Sequence, residues 1–587
     1  MRLFYIVCVL VLPLLFGGGG TFARETDQGG MTIFVAKDII TMEDSMPRAS
    51  AVAVADGRIV AVGSLDSLKS WIDARGAKID RRFEDKVLMP GFIDPHVHPS
   101  LPAVLTQFPF LAPDDWELPT GTFPGATTPE AYLVALKNQA KEYFDDPDRD
   151  DKVPFISWGY HQLWHGEINR KKLNEIFGDK PVLLWHRSFH ELIGNDAAYD
   201  LIGVTESDVA NVEEADWESG RVWENGFVAV LPKLTFLFEP ERYKKGMKNF
   251  ALMLQQGGVT SAMDMGVGIF GDPEGEMALI KETMGKDVPA RVVLTPIITY
   301  FIAEKMSPQA ALKKTEEWEK GSTDNVIFDK HFKLMMDGAI YSGLSQYKYP
   351  GYLDGHEGVW MAPLDVTYDF AKTFWNAGYQ LHAHTNGDKS AEALLDILRK
   401  LQEQNPRVDH RMTLEHFAYA TKDQLKQMEA LGMMVSANPY YQFILSDMYA
   451  DKWLGEDRAR NMVPLGDAQK LGINVSLHSD NPMAPLNPLL LAWTATNRTT
   501  IGGKKNNESQ KLSLDEALQA ITINAAWQMR MEDEIGSIRA GKKADFVVLE
   551  EDPYEVGPEG LKDIEIWGTV FEGKVYPLVN GVRGDSE

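Results

Sequence analysis

Two histidines separated by one residue, in Gly91-Phe-Ile-Asp-Pro-His96-Val-His98, are spaced for shared work. On a strand, residues two apart face the same way, so both imidazoles can reach one cation. A pair alone fits packing as readily as ligation. Further along stand Lys333 in Phe-Lys-Leu-Met-Met-Asp-Gly338, His384 in His-Ala-His-Thr-Asn-Gly-Asp388, His416 in Thr-Leu-Glu-His-Phe417 and Asp480 in Ser-Leu-His-Ser-Asp-Asn-Pro482. Neutral imidazoles and carboxylates suit zinc, with manganese, iron or cobalt left open by ligand type. Each residue by itself could be a hydrogen-bonded core group. Together they form a site only if the fold brings them to one place.

The elements that must do so alternate between strand-like and helical runs, which predicts an α/β class with parallel strands. Strand candidates are 91–98, 258–265, 291–296, 332–338, 380–384, 412–416, 433–439 and 473–480. Eight such strands predict a (β/α)8 TIM barrel, in which functional groups gather at the C-terminal strand ends. Helical runs support this: Leu394, Ile397, Leu398 and Leu401 share one face, and Thr421-x-x-Gln424 and Ser513-x-x-Glu516 read as capping boxes. The stretch between the first two strands, 99–255, is far too long for an ordinary connection and predicts an inserted subdomain over the catalytic face. Ala51 to Ala55, Asp56-Gly57 and Arg58 to Val62 read as a hairpin, answered near the other end by Ala544 to Leu549 and Thr569 to Tyr576. The expected division is therefore 24–90 and 525–587 as one small β-sandwich and 91–524 as the barrel with its insert.

The 587 residues are 44% hydrophobic, enough for a large core, and carry a net charge of −26 that disfavours nucleic acid and anionic lipid as partners. Met1-Arg2, the apolar run Leu3 to Phe16 and the small residues up to Ala23 have the three zones of a secretory signal peptide. The apolar run spans roughly 21 Å as a helix, short of a ~30 Å hydrocarbon core. Export is expected, with cleavage after Ala23 and a periplasmic or secreted product free of the membrane. The sole cysteine, Cys8, lies in this leader, so the mature chain has no disulfide, catalytic thiolate or Cys-ligated zinc.

His-x-His followed by Lys, His, His and Asp in that order resembles the amidohydrolase superfamily. The closer resemblance is to its YtcJ-like branch, amidohydrolase family 3, carried by Pro90-Gly-Phe-x-Asp-x-His-x-His98, the Gly258-Val-Thr strand, Lys before Asp337-Gly338, His before Gly387-Asp388, Glu415-His416, Ser479-Asp-x-Pro482 and the stretch Gly536 to Asp545. It covers about Thr32 to Tyr576. What it implies is a distorted (β/α)8 TIM barrel flanked by the β-sandwich, and a site of two divalent metals, zinc foremost. His96, His98 and Asp480 would hold the first, His384 and His416 the second, with Lys333 bridging as a carbamate, since an ammonium offers only donors.

The implied activity is hydrolysis of a non-peptide C–N bond in an amide, carbamate or N-acyl compound, with Asp480 moving the proton. Lactone, ester or phosphotriester hydrolysis by the same site is the alternative; a non-catalytic regulatory or ligand-binding protein is a third reading. A small molecule is the expected partner, and a homo-oligomer is left open. Two histidines depart from the branch: His382, two before His384, and His478, two before Asp480, each a neighbouring group or a substitute ligand. In the insert, Leu183 to Asn195 resembles a segment whose polar group faces substrate, which points to His190, although Phe189 stands where the branch has glycine. The aromatic run Ser157 to Trp164 adds Tyr160 and Trp164 as candidate lining residues.

Overall fold

The structure, a computed structural model, describes residues 30–285, 288–579 and 582–583. The leader expected over residues 1–23 lies outside them. We number the central parallel strands β1 (Phe92–Val97), β2 (Val259–Val267), β3 (Arg291–Pro296), β4 (His331–Met335), β5 (Gln380–Thr385), β6 (Thr413–His416), β7 (Met434–Ala437) and β8 (Val475–Leu477). Each falls on one of the expected runs. Every residue of β2, β3, β6 and β7 is buried, as expected where elements cover both faces of a parallel sheet. The helix Asp388–Gln404 buries Leu394, Ile397, Leu398 and Leu401, and both capping boxes form.

Backbone pairing sorts these strands into two sheets. β1, β2 and β3 pair in parallel with the short strand Val326–Phe328 at the far edge, and β4 to β8 make a second, five-stranded sheet. Two isolated parallel bridges, Ile297 to Lys333 and Val97 to Asn481, connect the two. The described residues therefore show an α/β fold without a ladder closed into a barrel, and the reason is local at each seam. Val326–Phe328 pairs with Val292 to Leu294 and so occupies the edge that β4 would need. At the other seam the Asp94 carboxylate accepts from the N–H and hydroxyl of Ser479, a side chain standing where backbone pairing would continue.

Both ends of the described chain meet in an eight-stranded sheet. Its central strand, Lys78–Pro90, pairs in parallel with Thr32–Ile40 and antiparallel with Phe546–Leu549. It then runs into β1 through Gly91, where a Cβ would lie 2.1 Å from Thr260 Oγ1 of β2, so no larger residue fits. The hairpin turn is built as expected, with Asp56 and Gly57 at φ of 51° and 72°. Where the sequence predicts a sandwich, the strands form one continuous sheet, and Phe34, Val52, Phe83, Leu88, Phe546 and Val570 share a single core within it. Between β1 and β2 lies a further five-stranded sheet, Phe155–Tyr160, Val182–His186, Glu191–Gly194, Arg221–Trp223 and Ala215–Asp216, with its own apolar cluster. No described helix is long and apolar enough to cross a membrane.

One buried cation ties the terminal sheet to the central strands. Arg291 of β3 is fully buried, donates to Ser261 Oγ of β2 at 2.8 Å and to Asp545 Oδ2 at 2.6 Å, and stacks over Phe571. Removing one member of a buried pair strands the other charge, so Arg291→Met should destabilise the protein by about 3–5 kcal/mol. Urea denaturation followed by circular dichroism measures it, and a loss below about 1 kcal/mol would show that the pair is not what joins the two sheets.

Candidate metal centre

The C-terminal ends of β1, β4, β5, β6 and β8 bring Lys333, His96, His98, His384, His416 and Asp480 together, and His478 with them. The rings of His96 and His98 lie 5.2 Å apart, His96 and His416 4.7 Å, His384 and His416 4.3 Å, and His96 and His478 4.5 Å. Asp480 Oδ1 is 3.4 Å from His96 Nε2 and 3.2 Å from His98 Nε2. Lys333 Nζ donates to His96 Nε2 at 3.3 Å. Among the described residues two groups offer donor atoms close enough to share an ion: His96, His98 and Asp480, and His96, His416 and His478.

Beneath this layer lies a carboxylate that the sequence displayed only as part of Glu415-His416. Glu415 is fully buried and accepts from His96 Nδ1 and His382 Nδ1, each at 2.8 Å, and from Gln528 Nε2 at 3.0 Å. With the Nδ1 proton of His96 directed at Glu415, its Nε2 lone pair faces the cluster. His382 spends both nitrogens inside the protein, since its Nε2 meets His331 Nδ1 at 3.0 Å; it supports the site from below. His478 differs: Nδ1 pairs with Ser436 Oγ at 2.8 Å and Nε2 points into the cluster. His384 lies beside His416, but its Nε2 pairs with the Asn386 amide at 2.9 Å. Burial pushes Glu415 up to about 8, opposed by Lys333. Burial also draws Lys333 down to about 8, opposed by Glu415 and Asp480.

Two of the site residues sit on strained backbone. His416 has φ of 75° and Asp480 of 54°, left-handed values that cost such residues on the order of 1–3 kcal/mol each. The turns are pinned by Asn438 N–H donating to the His416 carbonyl at 3.1 Å and Asp480 N–H donating to that of His96 at 3.0 Å. Tyr441, on the helix Tyr440–Ile444 after β7, donates to Asp480 Oδ2 and lies 3.3 Å from it and from His416 Nδ1. Nothing in its local sequence singled Tyr441 out; only the fold brings it here. Asp337 accepts from the N–H groups of Gln346, Asn386 and Gly387 and from Ser390, tying the end of β4 to the loop after His384.

The insert contributes unequally. Arg187, fully buried, donates to the carbonyl of Met483 at 2.9 Å and to Asp114 Oδ2 at 3.3 Å, holding the insert against the turn after Asp480. His190 is half-buried and its charge is felt at His384. Tyr160 is not brought to the cluster: its hydroxyl donates to the Gly166 carbonyl and accepts from Ile168 N–H, inside the core of the insert. Trp164 is buried edge-on to His161, whose Nε2 pairs with the Tyr341 carbonyl, a layer behind the site.

The donor set fits a divalent cation. His416 Nε2 and His478 Nε2 are buried with no hydrogen-bond partner among the described residues, a cost that ligation of the imidazoles would offset. Burial holds His96, His416 and His478 far below the usual histidine range, which keeps them neutral as ligands must be.

Comparison with known proteins follows the same line. The model of a family described as "Amidohydrolase family" matches residues 83–577. The chain is 24% identical over 561 residues to the N-substituted formamide deformylase of Arthrobacter pascens, covering 92% of this chain and 97% of that protein. It is 24% identical over 604 residues to the protein LONG AFTER FAR-RED 3 of Arabidopsis thaliana, covering 98% of this chain and 97% of the other. Among solved structures, an uncharacterized metal-dependent hydrolase from Pyrococcus horikoshii OT3 shares the fold with a TM-score of 0.66 at 21% identity, over 90% of this chain and 99% of that one.

Glu415→Gln keeps the shape of the side chain but cannot accept from both His96 and His382 as a carboxylate does. Zinc affinity, measured by competition with a chromophoric chelator, should fall about 10–100-fold with secondary structure unchanged. Unaltered affinity would show that Glu415 does not orient His96.

Proposed function

The chain belongs to the amidohydrolase family, and from that premise we propose that it is a metal-dependent hydrolase of a non-peptide C–N bond in an amide, carbamate or N-acyl compound. The observation that carries this reading is the grouping of His96, His98 and Asp480 around one point. The deformylase relative acts, by its name, on N-substituted formamides, which supports this class of bond. In this reading β1 to β8 form a distorted (β/α)8 barrel, residues 24–90 and 525–587 one small β domain beside it, and 99–255 an insert over the catalytic face. Residues 1–23 serve as a signal peptide, and the product is periplasmic or secreted.

His96, His98 and Asp480 would hold one divalent ion, zinc first; His416 would hold a second with His384 or His478, and a carboxylated Lys333 would lie between them. Bound there, such ions lower the pKa of water toward ~7 and polarise a carbonyl oxygen. The protein's own groups do the rest. Asp480 takes the proton of the attacking water and returns it to the leaving nitrogen, with Tyr441 holding its Oδ2 in place. The Lys333 ammonium competes for the His96 lone pair; addition of the amine to CO2, with release of two protons from the ammonium, would remove that competing donor and supply an acceptor.

Zinc- and manganese-loaded protein should hydrolyse at least one member of a panel of N-substituted formamides, anilides and carbamates, and carry close to two metals per chain by elemental analysis. Turnover confined to lactones, esters or phosphotriesters would reassign the bond, and metal-free protein with no turnover would favour a regulatory role. Asp480→Asn should nearly abolish turnover while the protein stays folded; retention of most of the rate would remove Asp480 as proton carrier. Lys333→Ala should lose at least one metal and most activity, partly restored by added acetate or propionate. Full activity with two metals would make Lys333 a structural residue.

A further inference from the structure

An ionisable pair in the insert lies where the insert meets the rim of this centre, beside Phe189, whose ring is 6.0 Å from that of Phe270 in the turn after β2, and has no part in the reaction as described. Glu191–Gly194 and Arg221–Trp223 pair antiparallel with Glu191 opposite Trp223, so the next residues outward, His190 and Glu224, oppose each other at the end of the ladder. Two hydrogen bonds lock them: His190 Nδ1–H donates to Glu224 Oε2 at 2.8 Å, and Glu224 N–H donates to the His190 carbonyl at 2.9 Å. The Glu224 side chain is 6% exposed, whereas the His190 ring is 30% exposed. With Nδ1 committed to the carboxylate, Nε2 is the atom left to meet a ligand.

The pair is held under constraint. Phe189 and Glu224 both have left-handed φ, 71° and 43°, which side chains of this size adopt only when their surroundings enforce it. Ser188 Oγ accepts the His190 N–H at 3.1 Å and is paired with His186 Nδ1 at 2.9 Å, so the turn is fixed from its other side as well. A surface ion pair needs none of this, and strain of this kind gathers at functional sites. The charged and titratable groups acting on the ring or sensing it are Glu224, Asp480, His384 and His186. Burial works to lower the affinity of the ring for its proton, and Glu224, by charge and hydrogen bond, more than reverses that.

Building on the hydrolase reading above, we propose that Glu224 and His190 form a carboxylate–imidazole pair whose Nε2–H donates a hydrogen bond to the scissile carbonyl oxygen as negative charge grows on it. The proton stays on Nε2 throughout, and proton transfer belongs to Asp480. His190 is then the catalytic residue that touches substrate, and Glu224 the positioning residue that holds the ring, its tautomer and its charge.

The test has two arms, both on the full chain. In the first, metal-free protein labelled with 15N-histidine is titrated by NMR, with the His190 signal identified by its loss in His190→Gln. Wild-type His190 should titrate above the ordinary ~6.5, bind its proton about tenfold more weakly in Glu224→Gln, and fall between the two in Glu224→Asp. Identical titration in wild type and Glu224→Gln overturns the pair. In the second, zinc-loaded protein is assayed with formanilide: His190→Gln should lower kcat by about 100–1,000-fold at unchanged metal content. Glu224→Gln should move the alkaline limb of kcat/KM to lower pH. A kcat for His190→Gln within twofold of wild type overturns the catalytic role. Wild-type protein inactive on every C–N substrate defeats the hydrolase reading and this role with it, while the titration still reports separately whether the pair exists.

Discussion

Glu415 is a carboxylate with no access to water, and the geometry of the centre depends on how it is satisfied. An unpaired carboxylate so placed would cost several kcal/mol; here N–H donors from His96, His382 and Gln528 converge on it, with the Lys333 ammonium nearby. One residue of β6 thereby orients side chains of β1 and β5 and engages the segment that follows β8. His382 carries the chain of contacts on to His331 of β4. The consequence for chemistry is a tautomer: because Nδ1 of His96 points down, Nε2 points up.

Above that layer, the open side of the site is shaped by the insert. Arg187 lies among Trp116, Trp158 and Tyr341 with its donors on Asp114 and on carbonyls of the turn after Asp480. Tyr440 also donates to Asp114, at 2.9 Å, so the insert, the turn after Asp480 and the helix after β7 share one buried polar network. The network holds these three segments against one another, although Asp114 Oδ1 and Arg187 Nε have no hydrogen-bond partner among the described residues. The same insert carries the His190–Glu224 pair, so a segment absent from the basic β/α repeat braces the turn that bears Asp480.

Part of the backbone strain falls at the same place. His416, Phe417 and Asp480 take left-handed φ at the ends of β6 and β8, and Phe189 and Glu224 do so in the insert. His416 and Asp480 belong to the centre itself. Their cost is offset by neighbouring hydrogen bonds, such as Asp480 N–H to the His96 carbonyl, which turn the side chains to angles that regular strands cannot offer.

Much of this was legible in the sequence, and the limit has a physical cause. Strand and helix runs, both capping boxes, the Asp56-Gly57 turn and the order His96, His98, Lys333, His384, His416 and Asp480 are written in spacing and residue type, which are local properties. Local patterns also showed that a long insert follows β1, but not that Val326–Phe328 would take the edge of β3 or that the terminal strands would form one sheet, because strand partners are chosen across the whole chain. His416 groups its donor atom with those of His96 and His478, while His384, whose ring is 4.3 Å from that of His416, has its Nε2 set against Asn386, and Tyr160 and Trp164 are packed inside the insert. The sequence by itself determined the family, the succession of strands along the chain and which side chains could bind a cation. The tertiary structure alone decided that Glu415 orients His96, that Tyr441 reaches Asp480 and that Glu224 pairs with His190, since a hydrogen bond between strands tens or hundreds of residues apart leaves no periodic trace in the chain.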